Sequence, residues 1–492
     1  MDNIQSIKMF IPELILVGSM LLGIFADLFY DRKHSFRVGH WIIGGLVVAA
    51  LALYLTPASE SITLFMGTIV ADPFARMFKY IFLLTTTIVI LMSLRTDELK
   101  TVRTGEYYLL IAAITLGMFL MASSVDLIMI YLSIEVVSIV SFILAGYLKT
   151  QVRSTEASLK YVIYGAFSSG IMLYGFSLLF GLTGTTKLFE IRESLAALDG
   201  GTLTLTVATI MIMAGFGYKI SAVPFHFWTP DVYEGAPTPI TAFLSVGPKA
   251  AGFALLIRVF NTLFTGTDAL TASVWQSLEG LPWQEVMAAL AAITMTLGNV
   301  LAIQQSNVKR LLAYSSIAHA GYILMGIPVL SQSGIYAVMF YVVVYLFMQL
   351  GAFFVVITIK NKFGTEEIEE YGGIGFKSPY LGVIMAIFLF SLTGLPPTAG
   401  FIGKFYLFSA VIDAKMYWLA IVGALNSVIA LYYYMRIVKM MYLQGEREDE
   451  LYMPSKFQSI LLAVLAVPTI IFGVYWTPIA DWIRNSLVFF LP

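Results

Sequence analysis

The sequence contains no cysteine, which excludes disulfides, thiolate zinc sites and iron–sulfur clusters in one step. Charge is also scarce. Asp, Glu, Lys and Arg make up 12% of the 492 residues, about half the roughly 25% of an ordinary soluble chain. Only four histidines occur, His34, His40, His226 and His319; the first lies in a polar loop and the second at the start of an apolar run, which argues against a bis-histidine haem. A net charge of −1 offers no basic surface to nucleic acid. No linker divides the chain into separate domains. What the sequence has in excess is apolar surface: 59% hydrophobic residues and a mean hydropathy of +0.85.

Apolar runs recur from one end to the other, and crossing a bilayer takes roughly 20 such residues per helix. The pattern predicts an all-α integral membrane protein with about fourteen transmembrane helices. They fall at 9–29, 40–56, 75–95, 107–124, 127–148, 161–183, 203–222, 239–264, 283–304, 311–330, 335–359, 380–408, 416–443 and 457–479. Residues 1–10 lack the basic stretch, short apolar core and small-residue cleavage site of a signal peptide, so 9–29 is expected to be a retained first helix. Residues 62–70 are rich in β-branched types and are expected to form a small hairpin outside the bilayer. With the N-terminus outside, 18 of the 29 Lys and Arg fall in inner loops or at inner helix ends, as the positive-inside rule requires. The polar stretches 360–377, with Glu366, Glu367, Glu369 and Glu370, and 444–456 are then inner loops. Gly372-Gly373-Ile374-Gly375 is read as a turn.

Against this background a few charges stand inside apolar runs: Glu135, Lys219, Lys249, Arg258 and Lys404. Each acid or lysine at mid-bilayer costs about 2.5–3.5 kcal/mol on insertion scales, and such residues are functional by default. Arg258 lies nearer a helix end and is expected to snorkel to the interface. Glu135, flanked by Ser133 and Ser138, is expected to pair with Lys219, and a switchable carboxylate–ammonium pair can load and release a proton. Lys219 sits among Gly215, Gly217, Pro224 and Pro230; Lys404 follows Gly394-Leu-Pro-Pro-Thr-Ala-Gly-Phe-Ile-Gly. Gly/Pro punctuation breaks helices, and broken backbone at membrane depth is tolerated only where it lines a cavity or is buried in protein. Two such breaks, each beside a lysine, point to a transport path. Lys249, between Pro248 and Gly252, would link them. His319 is a candidate relay of a type that titrates near neutrality, with a structural role about equally in view. His226 and Asp231 are assigned to shaping the first break, at its inner entrance.

At these residues the sequence resembles the antiporter-like membrane subunits of respiratory complex I, the proton-translocating NADH-quinone oxidoreductase. The resemblance rests on Pro224-Phe-His-Phe-Trp-Thr-Pro-Asp-Val-Tyr-Glu-Gly-Ala-Pro-Thr-Pro239, on Lys309-Arg-Leu-Leu-Ala-Tyr-Ser-Ser-Ile-Ala-His-Ala-Gly-Tyr322 and on the Gly394–Lys404 stretch. It covers roughly residues 100–440. Among the paralogues, subunit N fits, because its twelfth-helix charge is a lysine and no lateral helix follows the fourteenth span.

The resemblance implies two inverted five-helix repeats, helices 4–8 (107–264) and 9–13 (283–443), with helices 7 and 12 broken. They would be preceded by a three-helix segment (1–106) and followed by a loop and helix 14 (444–492). It implies a proton path through Glu135, Lys219, Lys249 and Lys404, driven by quinone reduction elsewhere. No cofactor is expected in this chain; quinone, flavin and iron–sulfur clusters would belong to partner subunits. The expected partners are neighbouring antiporter-like and small membrane subunits and the lipid of a bacterial-type energy-transducing membrane. The alternative is a cation/proton antiporter subunit of the related multisubunit family. A standalone solute transporter and a passive scaffold fit less well, the latter because of the cost of the buried charges.

Overall fold

The computed structural model describes residues 3–56, 61–197, 203–264, 281–445 and 450–487. A backbone surrounded by lipid must satisfy its own amides, and this one does so almost entirely in helices. A short α1 (Asn3–Met9) leads into α2 (Ile11–Leu28) and α3 (Arg37–Leu55). The expected hairpin follows: β1 (Ile62–Leu64) pairs antiparallel with β2 (Ile69–Ala71), Thr63 opposite Val70. Asp72 then caps α4 (Pro73–Ser93), accepting from the Ala75 N–H at 2.7 Å, and the proline at the first helical position needs no hydrogen-bond partner there.

Next come α5 (Gly105–Ser123), α6 (Leu127–Ala145), α7 (Val152–Thr183), the short α8 (Leu188–Ala196) and α9 (Leu203–Ile220). After a non-helical stretch, 221–227, the chain resumes as α10 (Trp228–Gly235) and α11 (Thr238–Leu263). Then follow α12 (Trp283–Ile303), α13 (Val308–Leu324), α14 (Gln332–Phe363), the one-turn α15 (Ile374–Lys377), α16 (Pro379–Thr393), α17 (Ala399–Asp413), α18 (Tyr417–Leu443), α19 (Lys456–Val474) and α20 (Thr477–Ser486). Gly373, with φ +72°, opens α15 where a turn is expected. Residues 446–449 of the polar stretch 444–456 lie outside the described residues.

Among the described residues twelve helices are long and apolar enough to cross a membrane: α2 to α7, α9, α11, α12, α14, α18 and α19. The position of the tenth expected span holds α13, with 17 residues, and that of the twelfth holds two 15-residue pieces, α16 and α17. Helix α7 begins nine residues before the expected start of its span. Its extra turns carry Arg153, Glu156 and Lys160, and Lys160 bonds Glu156 one turn back at 2.7 Å. Charged turns of this kind remain helical outside the hydrocarbon because water and ion pairs serve them. At the other end α19 stops at Val474, and the amphipathic α20 turns aside, Trp482 lying against Tyr80 of α4.

Helices α11 and α14 form the centre: α11 is buried over its whole apolar window and α14 over 94% of it, against 33% for α2, α3 and α19. Arg258 on α11 departs from expectation. It does not snorkel. It is fully buried and forks onto Asp72, Nη1 to Oδ2 at 2.9 Å and Nη2 to Oδ1 at 3.1 Å, with Phe74 beneath its guanidinium. The planar fork matches a carboxylate bidentately, so the arginine gains more from a partner inside than from reaching out. The pair ties the N-terminal helices to the central one.

Candidate functional site

The first break follows from its sequence. Helix α9 ends one residue after Lys219; Ser221 has φ +64°, a conformation that α-helix cannot continue, and Pro224 follows. Trp228 of α10 returns its indole N–H to the Tyr218 carbonyl at 3.3 Å and stacks on Tyr161, centroids 4.2 Å apart. The second break repeats this logic. Gly394 takes φ +90°, and a Cβ there would stand 2.8 Å from Cδ of Lys404. Glycine is required twice over, for the backbone and for the lysine. The Lys404 ammonium donates to the Thr393 carbonyl at 2.8 Å, at the C-terminal end of α16, where free carbonyls and the helix dipole favour a cation.

All three lysines of the predicted path are buried. Lys219 donates to Ser138 Oγ on α6 at 3.0 Å. Glu135, one turn from Ser138 on the same helix, instead accepts from Ser169 of α7. The expected Glu135–Lys219 ion pair is therefore open, the carboxylate and the ammonium each held by a serine. Glu135 and Ser138 lie on one face of α6, where residues three apart are neighbours. The stem of Lys219 packs beside Gly252 of α11, whose added Cβ would lie 3.3 Å from Cγ. Gly252 is one turn from Lys249.

Lys249 donates to the carbonyl (3.1 Å) and the hydroxyl (2.7 Å) of Ser316 on α13. Tyr345 of α14 donates to the same hydroxyl at 3.0 Å. Three residues along α13, His319 places Nδ1 2.8 Å from the Tyr341 hydroxyl and Nε2 3.1 Å from that of Tyr434. Three further on, Tyr322 lies under the Lys404 ammonium, 4.3 Å from the ring centroid. Ser427 links the two, accepting from Lys404 at 3.2 Å and donating to the Tyr322 hydroxyl at 3.3 Å. Ser316, His319 and Tyr322 thus form one polar stripe at helical spacing, running from Lys249 to Lys404.

Residues 124–430 match a family described as NADH:quinone oxidoreductase/Mrp antiporter, transmembrane. The chain is 46% identical to NADH-quinone oxidoreductase subunit N of Anaeromyxobacter sp. (strain Fw109-5), over 99% of this chain and 98% of that one. The chain belongs to the subunit N family. It is also 48% identical to subunit N 2 of Chloroherpeton thalassium (strain ATCC 35110 / GB-78), over 97% of this chain and 94% of the relative. Its fold matches a chain of respiratory complex I from Thermus thermophilus with a TM-score of 0.79 at 28% identity, covering 96% and 98% of the two chains.

In this subunit N family member, sequence reasoning missed most of the groups around the lysines. Asn299 of α12 donates to the Asn426 side chain at 3.2 Å and accepts from Tyr433 at 2.9 Å, and Tyr434 bonds both Ser315 and His319. Asn299, Ser315, Asn426, Tyr433 and Tyr434 are buried neutral groups, and only the facing of three helices brings them together. A signal exists on α13 alone, in the three-residue spacing of Ser316, His319 and Tyr322. His226 and Asp231 sit as expected around the first break. His226 is buried within it, while Asp231 on α10 is held by Lys160 at 2.6 Å and Arg310 at 2.7 Å. A second cluster fixes the join to α11: Glu98, in the loop after α4, accepts from the Thr238 N–H at 2.7 Å and from Lys360 at 2.6 Å.

Proposed function

We propose that this chain is the proton-translocating subunit N of an NADH-quinone oxidoreductase, a non-redox part of an enzyme whose flavin, iron–sulfur clusters and quinone site belong to partner subunits. Neighbouring antiporter-like and small membrane subunits would flank it in an energy-transducing membrane. Its spans would number fourteen, α13 and the broken α16–α17 included, with the N-terminus outside. Residues 107–264 and 283–443 would be the two inverted repeats.

The observation that carries this reading is the bonding of Lys249 and Lys404. Each is buried and held by hydroxyl and carbonyl oxygens rather than by a carboxylate. A lysine clamped by a carboxylate keeps its proton; one held by neutral acceptors tolerates either state once desolvation offsets its basicity. In the proposed route a proton enters near Lys219, crosses one turn of α11 by water to Lys249, and follows Ser316, His319 and the tyrosines to Lys404. Closing the Glu135–Lys219 pair would hold the proton at the entrance; opening it would release the proton inward.

The test is Lys219→Ala in the assembled complex. Proton pumping in inverted membrane vesicles should fall severalfold per electron pair, while oxidation of the electron donor by the soluble subunits largely persists. Full pumping in that variant would refute the route.

A further inference from the structure

The outward face between α2 and α3 carries a groove of about 800 Å³ that plays no part in the proton route. Small residues make it. Gly45 packs so tightly on Ser19 that a Cβ there would collide with it, whereas Gly18 and Gly44, one position to the outside, face open space. The floor between them is completed by Leu22 and Val48, which are 65% and 51% exposed.

One end of the groove is different. Tyr30, Arg37, His40 and Trp41 frame it; the Trp41 indole donates to the Tyr30 hydroxyl at 3.2 Å, and the Arg37 guanidinium lies over the Tyr30 ring at 5.9 Å. Arg32 and Lys33 lie on the adjoining exposed turn. The nearby acids do not cancel this charge, for Asp27 is bound to Arg103 at 3.0 Å and leaves only Asp31 on the turn. From His40 to Val48 the groove runs about 12 Å along α3, close to half of a bilayer's ~30 Å hydrocarbon core.

The geometry points to a binding site for one anionic phospholipid, its phosphate at Arg37 and His40 and an acyl chain lying over Gly18 and Gly44. Hydroxyl and indole groups at the headgroup level with an apolar trench below match a lipid's own polarity profile, and basic pockets beside helices select anionic headgroups. A helix of a neighbouring subunit would have to neutralise the three cations Arg32, Lys33 and Arg37 at the groove's mouth.

Trp41 supplies the reporter. The full-length chain is reconstituted in phosphatidylcholine vesicles containing brominated phosphatidylglycerol or brominated phosphatidylcholine, and the Trp41 signal is taken as the difference between the wild type and Trp41→Phe. The brominated anionic lipid should quench it at roughly fivefold lower mole fraction than the zwitterionic one. Arg37→Gln should bring the two lipids together, and Gly44→Leu, which fills open space, should weaken quenching by both. Equal quenching by the two lipids in the wild type would reduce the groove to unselective lipid contact and overturn the proposal. Absence of quenching by either would show that lipid chains do not enter the groove and overturn it equally. Quenching by both lipids that Gly44→Leu leaves unchanged would overturn the acyl-chain part.

Discussion

The molecule buries charge in two regions and handles it in two ways. Around the N-terminal helices the charges are closed pairs: Glu13 with Lys79 at 2.6 Å, and Asp72 with Arg258, both ends wholly buried. On α11 and α17 the lysines have hydroxyl and carbonyl acceptors instead. Desolvation costs are of the same kind in both places, but the compensations differ. A carboxylate cancels the charge and so fixes it. Neutral oxygens satisfy the ammonium's hydrogen bonds without binding the lysine to its charged form. Only the second arrangement can change protonation state at modest cost, and it occurs at Lys249 in the central helix and at Lys404 beside the second break.

The sharpest way to break the contrast is to remove one member of a closed pair. Arg258→Leu leaves the Asp72 carboxylate buried and unpaired, which should cost about 3–5 kcal/mol, seen as a large drop in thermal stability in detergent or as failed assembly. Adding Asp72→Asn should recover most of that loss, because the amide oxygen still accepts the Ala75 N–H that caps α4. The converse experiment takes a charge from the lane. Lys249→Met removes a residue whose insertion costs about 2.5–3.5 kcal/mol, so stability should hold or rise while pumping per electron pair falls tenfold or more. Loss of both stability and pumping would place Lys249 with the structural charges.

The same contrast marks what the sequence could tell. Lys219, Lys249 and Lys404 are visible because a charge inside an apolar run is anomalous in one dimension, and the Gly/Pro clusters beside them announce the breaks. Arg258 is equally visible, but its partner is not: Asp72 is 186 positions away and reads as an ordinary residue before a proline. The open state of the Glu135 pair depends on Ser169 and Ser138, serines that composition cannot distinguish from any others. Tyr341, Tyr345, Tyr434 and Asn299 have no charge to betray them, and their meeting around α13 is a property of helix packing alone. The long α7 escaped for another reason. Its polar first turns end the apolar run but not the helix.

A smaller effect is expected at Glu98, which lies outside the membrane-spanning helices. Burial pushes its carboxyl up, but Lys309, Lys360 and the Thr238 N–H together hold it below the ordinary carboxylate value. Because the folded-state value is the lower one, the stabilisation is complete above the unfolded value of about 4.3 and is lost as pH falls through the folded value. Thermal unfolding followed from pH 7 into the acid range should show this decline. Glu98→Gln should lower stability at neutral pH by roughly 1.5–3 kcal/mol, the range for a lost hydrogen bond to a charged group, and should flatten the acid limb. An unchanged acid limb would show that other carboxylates set it.

The finest test asks whether the α13 stripe conducts or only packs. Ser316→Ala removes the hydroxyl that joins Lys249 to Tyr345 but leaves the Ser316 carbonyl, which accepts the same ammonium at 3.1 Å. Lys249 therefore keeps a partner, and the loss is about one hydrogen bond, on the order of 1 kcal/mol. If Ser316 only positions the lysine, pumping should fall severalfold at most, well short of Lys249→Met, with donor oxidation unchanged. A loss as deep as that of Lys249→Met would make the hydroxyl itself a link through which the proton passes. Unaltered pumping would take the route off α13, and the neutral acceptors there would then serve, like the ion pairs of the N-terminal helices, only to hold a charge in place.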